Sequence, residues 1–493
     1  MKMRPISRVM LIYPPVTFAP QSMKQCHLPL GLAYLAAYIR KEVDLCVLDA
    51  AAEGWSHEEP AGEKYLRYGL PMAEIERRIA EFKPDLVGMS CIFSSQFRNV
   101  VEVAAAAKRV DPEILTITGG THVTFLPEYC MKRSSDLDFI ARGEGEATLL
   151  DLIHASREGR GPETVAGLVF RRGTETVINP PRPLIADINS IPFPARDLFP
   201  VETYSRVGMP MGTVYKNRPY MNLITSRGCA HRCTFCSSTN FWGNRYRMRS
   251  PESVLEEMEY LYRDLGIREF KFFDDNLTSD RARAKAIFRG MIDRGIKVSW
   301  NTPNGIHVVA LDEEMLDLMK ASGAYELTLA VESGDEEVLK KIIHKPTRLD
   351  QLEKAAKMIR ARGIGTYAFF IIGFPGETKE QIHRTLDFSL RLDPDRMSLF
   401  IYNPLPGTPL FEECVAKGYV SPDEMAEDAD YFEGRFDTPE WTRDELHRLR
   451  RNWFWRYHFG LIGRHPVRFL NSYGSLVVRP RQTLEVLKRL VRN

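Results

Sequence analysis

The sequence predicts an α/β protein: an N-terminal Rossmann-like doubly wound parallel sheet, followed by a partial (βα)6 TIM-type barrel and a helical C-terminal segment. Three observations predict it. Short apolar runs alternate with amphipathic helical patterns from residue 1 to about 155; the alternation restarts at Tyr220 for six more units; it stops after about residue 410. At 493 residues the chain exceeds what one core organises. The expected division is a Rossmann-like domain at 1–180, a linker at 181–218, the partial barrel at 219–410 and a helical basic region at 411–493.

In the first module the apolar runs fall at Val9–Tyr13, Val43–Leu48, Leu86–Met89, Ile114–Thr118 and Phe139–Ala141, with helical patterns between them. They end in turn-prone residues, among them Pro14-Pro15, Ser90 and Gly119-Gly120, where open parallel sheets bind ligands. A hairpin (Gly167–Arg172, Glu175–Ile178) and a proline-rich stretch from Asn179 to Pro219 read as the boundary. The barrel strands are expected at Tyr220–Thr225, Glu269–Phe273, Val298–Trp300, Glu326–Val331, Tyr367–Ile372 and Met397–Ile401. Six units are too few to close an eight-stranded barrel, and the chemistry belongs at their C-terminal ends.

Lys+Arg 67 against Asp+Glu 65 gives a net charge of +2, so no global field calls for nucleic acid. The apolar run near the start is too short for a signal peptide or a span, which leads us to expect a cytoplasmic protein. Eight cysteines in such a chain are too few for a disulfide scaffold, and three of them crowd into one loop.

That loop, Ser226-Arg227-Gly228-Cys229-Ala230-His231-Arg232-Cys233-Thr234-Phe235-Cys236, follows the first barrel strand with C-x3-C-x2-C spacing. Three thiolates can hold three irons of a cubane and leave the fourth open to a small molecule. Structural zinc is the competing reading, but it needs four ligands, and His231 inside the loop is poorly placed to be the fourth.

The segment resembles the radical S-adenosylmethionine superfamily, whose signature is this loop with an aromatic before the third cysteine. The resemblance implies that Cys229, Cys233 and Cys236 carry a 4Fe–4S cluster whose open iron chelates S-adenosylmethionine. One electron then cleaves the sulfonium to methionine and a 5′-deoxyadenosyl radical. It also implies an external one-electron donor such as a flavodoxin or ferredoxin. Other strand ends look like the family's stretches: Asp274-Asp275-Asn276, Glu332-Ser333-Gly334, Gly373-Phe374-Pro375-Gly376-Glu377-Thr378 and Pro404-Leu405-Pro406-Gly407-Thr408. Asp275, Asn301, Glu332 and Gly373 are the cofactor-binding candidates there, Gly373 because bare backbone lets adenine approach. For Asp275 and Glu332 the competing reading is a helix cap.

Pairing this barrel with a Rossmann-like domain resembles the cobalamin-binding-domain subgroup, through Pro29-Leu30-Gly31-Leu32, Gly119-Gly120-Thr121-His122 and Arg142-Gly143-Glu144-Gly145-Glu146 among others. The subgroup's best-known members are C-methyltransferases and an oxidative cyclase. Ser90, Gly119, Gly120 and Thr121, with Ser94, are the expected cobalamin-binding residues. The D-x-H-x-x-G element that gives cobalt a histidine is absent, which leaves either cobalamin without a protein ligand or a domain that binds no corrin. His27 and His122 read as solvated or capping histidines rather than ligands. A methylthiotransferase would need three cysteines here for a second cluster, but Cys46 reads as core packing inside Val43–Leu48, and Cys26, Cys91 and Cys130 lack a shared short spacing.

From Trp441 to Asn493 stand twelve Arg and Lys against three Asp and Glu, interleaved with Trp453, Phe454, Trp455, Tyr457 and Phe459. A helical cap whose aromatics pack inward is the preferred reading, and contact with an anionic membrane surface or substrate the other. The functional expectation is a radical enzyme on a small-molecule or lipid-like substrate, first a cobalamin-dependent C-methyltransferase. Its alternatives are a cobalamin-independent oxidoreductase, cyclase or dehydratase, and an electron-transfer or sensing protein.

Overall fold

The computed structural model describes residues 3–20, 22, 24–207, 214–425 and 434–470. The chain divides into two compact units, one of Met1–Ala230, Ser237–Lys271 and Ser421–Ala429, the other of His231–Cys236, Phe272–Val420 and Asp430–Asn493.

The strands of the first unit, in chain order, are β1 (Arg8–Tyr13), β2 (Val16–Phe18), β3 (Asp44–Asp49), β4 (Glu58–Ala61), β5 (Tyr65–Tyr68), β6 (Leu86–Ser90), β7 (Leu115–Gly119), β8 (Phe139–Ala141), β9 (Leu168–Arg172), β10 (Glu175–Ile178), β11 (Tyr220–Leu223), β12 (Ser226–Arg227), β13 (Arg247–Met248) and β14 (Glu269–Phe272), in which the unit ends. A seven-stranded sheet has the order β10-β9-β8-β7-β6-β1-β3. Its five strands from β3 to β8 are parallel, as the alternation predicted. Helices Met72–Phe82 and Phe97–Val110 bury Ile75, Ile79, Val100, Val103 and Ala107 in a core with Met10, Ile12, Val87 and Met89. A parallel strand covered by helices must be apolar throughout, and the buried centre of Arg8–Tyr13 is.

The hairpin at 168–178 is not a boundary element: β9 pairs antiparallel with β8 and extends the sheet. Nor does the compact division fall in the expected linker at 181–218. That stretch packs on the first unit, with Arg196 and Tyr204 buried, Ala195 N donating to Ala33 O at 3.0 Å and Tyr204 Oη to Asp49 Oδ2 at 2.7 Å. It also contains helix Val201–Val207; its residues 208–213 lie outside the described residues. A three-stranded sheet, β2-β5-β4, was not expected.

In the second unit, β15 (Ser299–Ile306), β16 (Ala324–Glu332), β17 (Gly365–Ile372) and β18 (Arg396–Ile401) pair in parallel and in chain order. With β11 and β14, neighbours in the first unit, they are the six strands of the expected partial barrel in chain order. Helices Arg281–Asp293, Glu313–Ala321, Leu349–Ala361 and Lys379–Leu392 alternate with them, and a 22-residue helix, Arg443–Arg464, lies C-terminal to β18. The basic residues from 479 onward lie outside the described residues.

Candidate functional site

The cysteine loop is anchored from within the second unit. Thr234, between Cys233 and Cys236, donates its amide to Ile343 O at 3.1 Å and its hydroxyl to Ile342 O at 2.7 Å, while Leu410 N donates to Thr234 O. Cys236 N reaches Cys233 O at 3.1 Å, a turn that sets these two cysteines close in the loop. All three candidate cysteines are half-buried and in no disulfide. Among the described residues no three His, Cys, Asp or Glu side chains gather round a single metal position. A cubane does not ask for that, since each thiolate takes its own iron.

The residues that hold Thr234 lead directly into Lys345. Its Nζ lies 3.0 Å from Glu332 Oε1. Burial pulls this ammonium down, while Glu332 and the Cys233 and Cys236 thiols pull it up further, leaving it raised. The His231 and His307 rings meet at a tilt of 46° with centres 4.1 Å apart, and burial, His231 and Lys345 push His307 down to about 4. Glu332 ends β16 at φ 67, a left-handed backbone that a glutamate rarely adopts and that marks a constrained position.

Asp335 Oδ1 accepts the amides of Glu337 and Val338 at the turn after Glu332, and Asp280 caps helix Arg281–Asp293. Asp275 stands half-buried just past β14, between the buried Asp274 and Asn276.

Asn301 is not at a strand end. It lies inside β15, which runs on to Ile306, and its Oδ1 is buried without a partner while Nδ2 faces Glu326 Oε1 at 3.5 Å. Asn304 stands closer to that end, donating to Phe273 O at 2.8 Å. Gly373 stands at φ 83, where a Cβ would also meet Leu446 Cδ1 at 2.5 Å. Gly373 N and Phe374 N donate to Glu377 Oε2 at 2.7 and 3.0 Å, and burial pushes the Glu377 carboxyl up to about 8.

In the first unit, Ser90 and Gly119 sit side by side at the ends of β6 and β7. Gly120, at φ 126, faces Cys91 O, which a Cβ would meet at 2.4 Å, and Thr121 opens helix Thr121–Phe125. The strand order reverses between β1 and β6, so of the expected set Ser90 borders the switch point and Gly119, Gly120 and Thr121 lie one strand away. His122 Nδ1 is 2.9 Å from Ser94 Oγ, its Nε2 is buried without a partner, and burial pushes it down to about 4. Burial does the same to His27.

Sequence reasoning missed Lys345 and a buried ion network in the first unit. Arg227, two residues before Cys229, meets Glu144 Oε1 at 2.6 Å and Glu146 Oε1 at 2.5 Å; Arg247 meets Glu144 at 2.8 Å. The paired acids of Gly143-Glu144-Gly145-Glu146 were a signal, since buried acids need partners.

Residues 223–389 match the Radical SAM superfamily and residues 20–153 the B12 binding domain family. The chain is 34% identical to cytidylyl-2-hydroxyethylphosphonate methyltransferase of Streptomyces wedmorensis, over 90% of this chain and 89% of that one. It is 33% identical to an uncharacterized methyltransferase of Pyrococcus horikoshii, over 84% of each. Its fold is similar to that of the radical S-adenosylmethionine methyltransferase TsrM from Kitasatospora setae with cobalamin and a 4Fe–4S cluster bound, at 21% identity and a TM-score of 0.65, covering 84% of this chain and 76% of that one. The chain therefore belongs to the radical SAM superfamily as an enzyme with a B12 binding domain, and the cofactors that go with its two domains are a 4Fe–4S cluster, S-adenosylmethionine and cobalamin.

Proposed function

We propose that the chain is a cobalamin-dependent radical C-methyltransferase acting on a small molecule, with Cys229, Cys233 and Cys236 as the cluster ligands. The observation that carries the site assignment is the buried Lys345–Glu332 pair, whose ammonium feels Cys233 and Cys236. When bound, the cofactors supply a one-electron cleavage of S-adenosylmethionine and a methyl carrier.

The chain's own groups orient them. Methionine is a zwitterion, and the second unit offers one cation, Lys345, and two anions, Glu332 and Asp275, to its two charges. Lys345 would take its carboxylate, while Glu332 and Asp275 would share its ammonium. The carboxylate of Glu332 is aimed by Lys345, whose Nζ donates to Oε1 at 3.0 Å. Asn304 and Asn301 offer amides on β15 for the ribose, and the Gly373 backbone borders the adenine. Ser90, Gly119, Gly120 and Thr121 line the crevice for the cobalamin tail, their small side chains leaving room for it. A flavodoxin or ferredoxin supplies the electron. Residues 1–180 and 219–410 serve as the corrin and radical modules.

The test needs no substrate. Anaerobically reconstituted protein given S-adenosylmethionine and a strong reductant should release both 5′-deoxyadenosine and S-adenosylhomocysteine, the second only when cobalamin is present. Release of 5′-deoxyadenosine alone, indifferent to cobalamin, would overturn the methyltransferase reading in favour of an oxidoreductase or cyclase.

A further inference from the structure

Helix Arg443–Arg464 has two apolar faces. Leu446, Trp453, Tyr457 and Leu461 are buried; Trp453 Nε1 donates to Ser389 Oγ at 2.9 Å and Tyr457 Oη to Pro394 O at 3.0 Å. At about 100° per residue, Trp455, Phe459 and Ile462 fall on the opposite side. Phe459 is 65% and Ile462 43% exposed, and the Trp455 ring stacks on Phe459 at 5.6 Å. Val467 and Leu470, 68% and 57% exposed, continue the apolar surface. Arg448 and Arg451, both exposed, share this outward face toward the helix N-terminus.

We propose that this face rests on an anionic lipid surface. Charge selects the occupant. Residues 471–493 carry five Arg and Lys against one acid, Glu485, so that segment folded back would set like charge on Arg448 and Arg451. A second copy packed antiparallel on this face would set Arg448 and Arg451 against the apolar Ile462, Val467 and Leu470 end and leave the guanidiniums without an anion. Lipid phosphates pair with the guanidiniums while the acyl boundary takes Trp455, Phe459 and Ile462, which is how a helix lying in the membrane plane is held. Among the described residues no helix is long and apolar enough to cross a membrane, so the contact is one of lying on, not spanning.

The full-length, cluster-loaded protein is sedimented with vesicles of phosphatidylcholine alone or with one-third phosphatidylglycerol. The bound fraction should rise about tenfold on the anionic vesicles and fall in high salt. It should be lost in the double variants Trp455→Ser/Phe459→Ser and Arg448→Glu/Arg451→Glu, while their melting temperature and iron content stay unchanged. Equal binding to neutral vesicles, or full binding by both variants, overturns the proposal. So does a dimer in light scattering that the variants dissolve, or a variant whose only defect is a raised KM for an acidic flavodoxin.

Discussion

Lys345 Nζ stands 3.0 Å from Glu332 Oε1 with the two side chains 9% and 10% exposed, thirteen residues apart in the chain. The β16 strand end and the segment that anchors Thr234 are thereby tied together at the cysteine loop. Replacing Lys345 by Met removes the charge-assisted partner offered to the cofactor's carboxylate. Such hydrogen bonds contribute roughly 1.5–3 kcal/mol, so the Kd for S-adenosylmethionine should rise about 10- to 100-fold. Equilibrium dialysis checks it. The cluster's absorption should be unchanged and Lys345→Arg should recover part of the affinity; an unaltered Kd in the Met variant removes Lys345 from the cofactor site.

The ion network around Arg227 gives a prediction about stability. Arg227 is 7% exposed with Glu144 and Glu146 at 5% and 6%, and removing one partner strands a buried charge. Arg227→Met should cost roughly 3–5 kcal/mol in denaturant unfolding. Glu144→Gln added to it should cost less than the sum of the two single variants, because the second change relieves the charge left by the first. Strict additivity would show that the network does not act as a unit.

Much of this was legible in the sequence, for a physical reason. The barrel strands stood out as short apolar, β-branched and aromatic runs bounded by turn residues, and five of the six were placed to within two residues at their C-terminal ends. The exception, β15, contains Thr302-Pro303-Asn304-Gly305, which reads as a turn; the strand instead continues through it, with a register shift and Gly305 at φ 101, and carries Asn301 into the strand interior. The missed strands Glu58–Ala61 and Tyr65–Tyr68 have no clean period-2 pattern. Lys345 was invisible because only tertiary folding returns it to Glu332. The C-terminal helix was half legible: Trp453 and Tyr457 pack inward, while Phe459 faces out.

Glu377 makes stability depend on pH. Its carboxyl, fully buried, is pushed up from 4.5 to about 8, against the amides of Gly373 and Phe374 that favour its ionised form. A folded-state value above the unfolded one means that the stabilisation is fully present below about pH 4.5 and is lost as pH rises through about 8. Melting curves from pH 6 to 9 should show the wild-type midpoint falling and the Glu377→Gln midpoint falling less. Parallel profiles would exclude Glu377 as the titrating group.

His122 is not free to ligate a corrin's cobalt. His122 is 3% exposed, its Nδ1 is engaged by Ser94 Oγ at 2.9 Å, its ring lies 5.0 Å from that of Phe97, and burial holds it neutral at physiological pH. To ligate cobalt it would have to leave that packing and break the Ser94 contact, and no D-x-H-x-x-G segment offers another histidine. Cobalamin bound in the Ser90–Gly119 crevice should therefore be base-off with no protein ligand below, a state in which cobalt is easier to reduce and so suited to methyl pick-up. Protein mixed anaerobically with hydroxocobalamin should retain it through gel filtration with a base-off absorption spectrum, and the spectrum should be the same for His27→Ala and for His122→Gln. A spectrum that shifts only in the His122 variant would make His122 a ligand after all. Loss of retention in a Gly119→Val variant that keeps its cluster, and whose Cβ meets nothing nearer than Ala141 O at 3.5 Å, would place the tail at the crevice, whereas retention unaffected by that variant would move it elsewhere in the sheet.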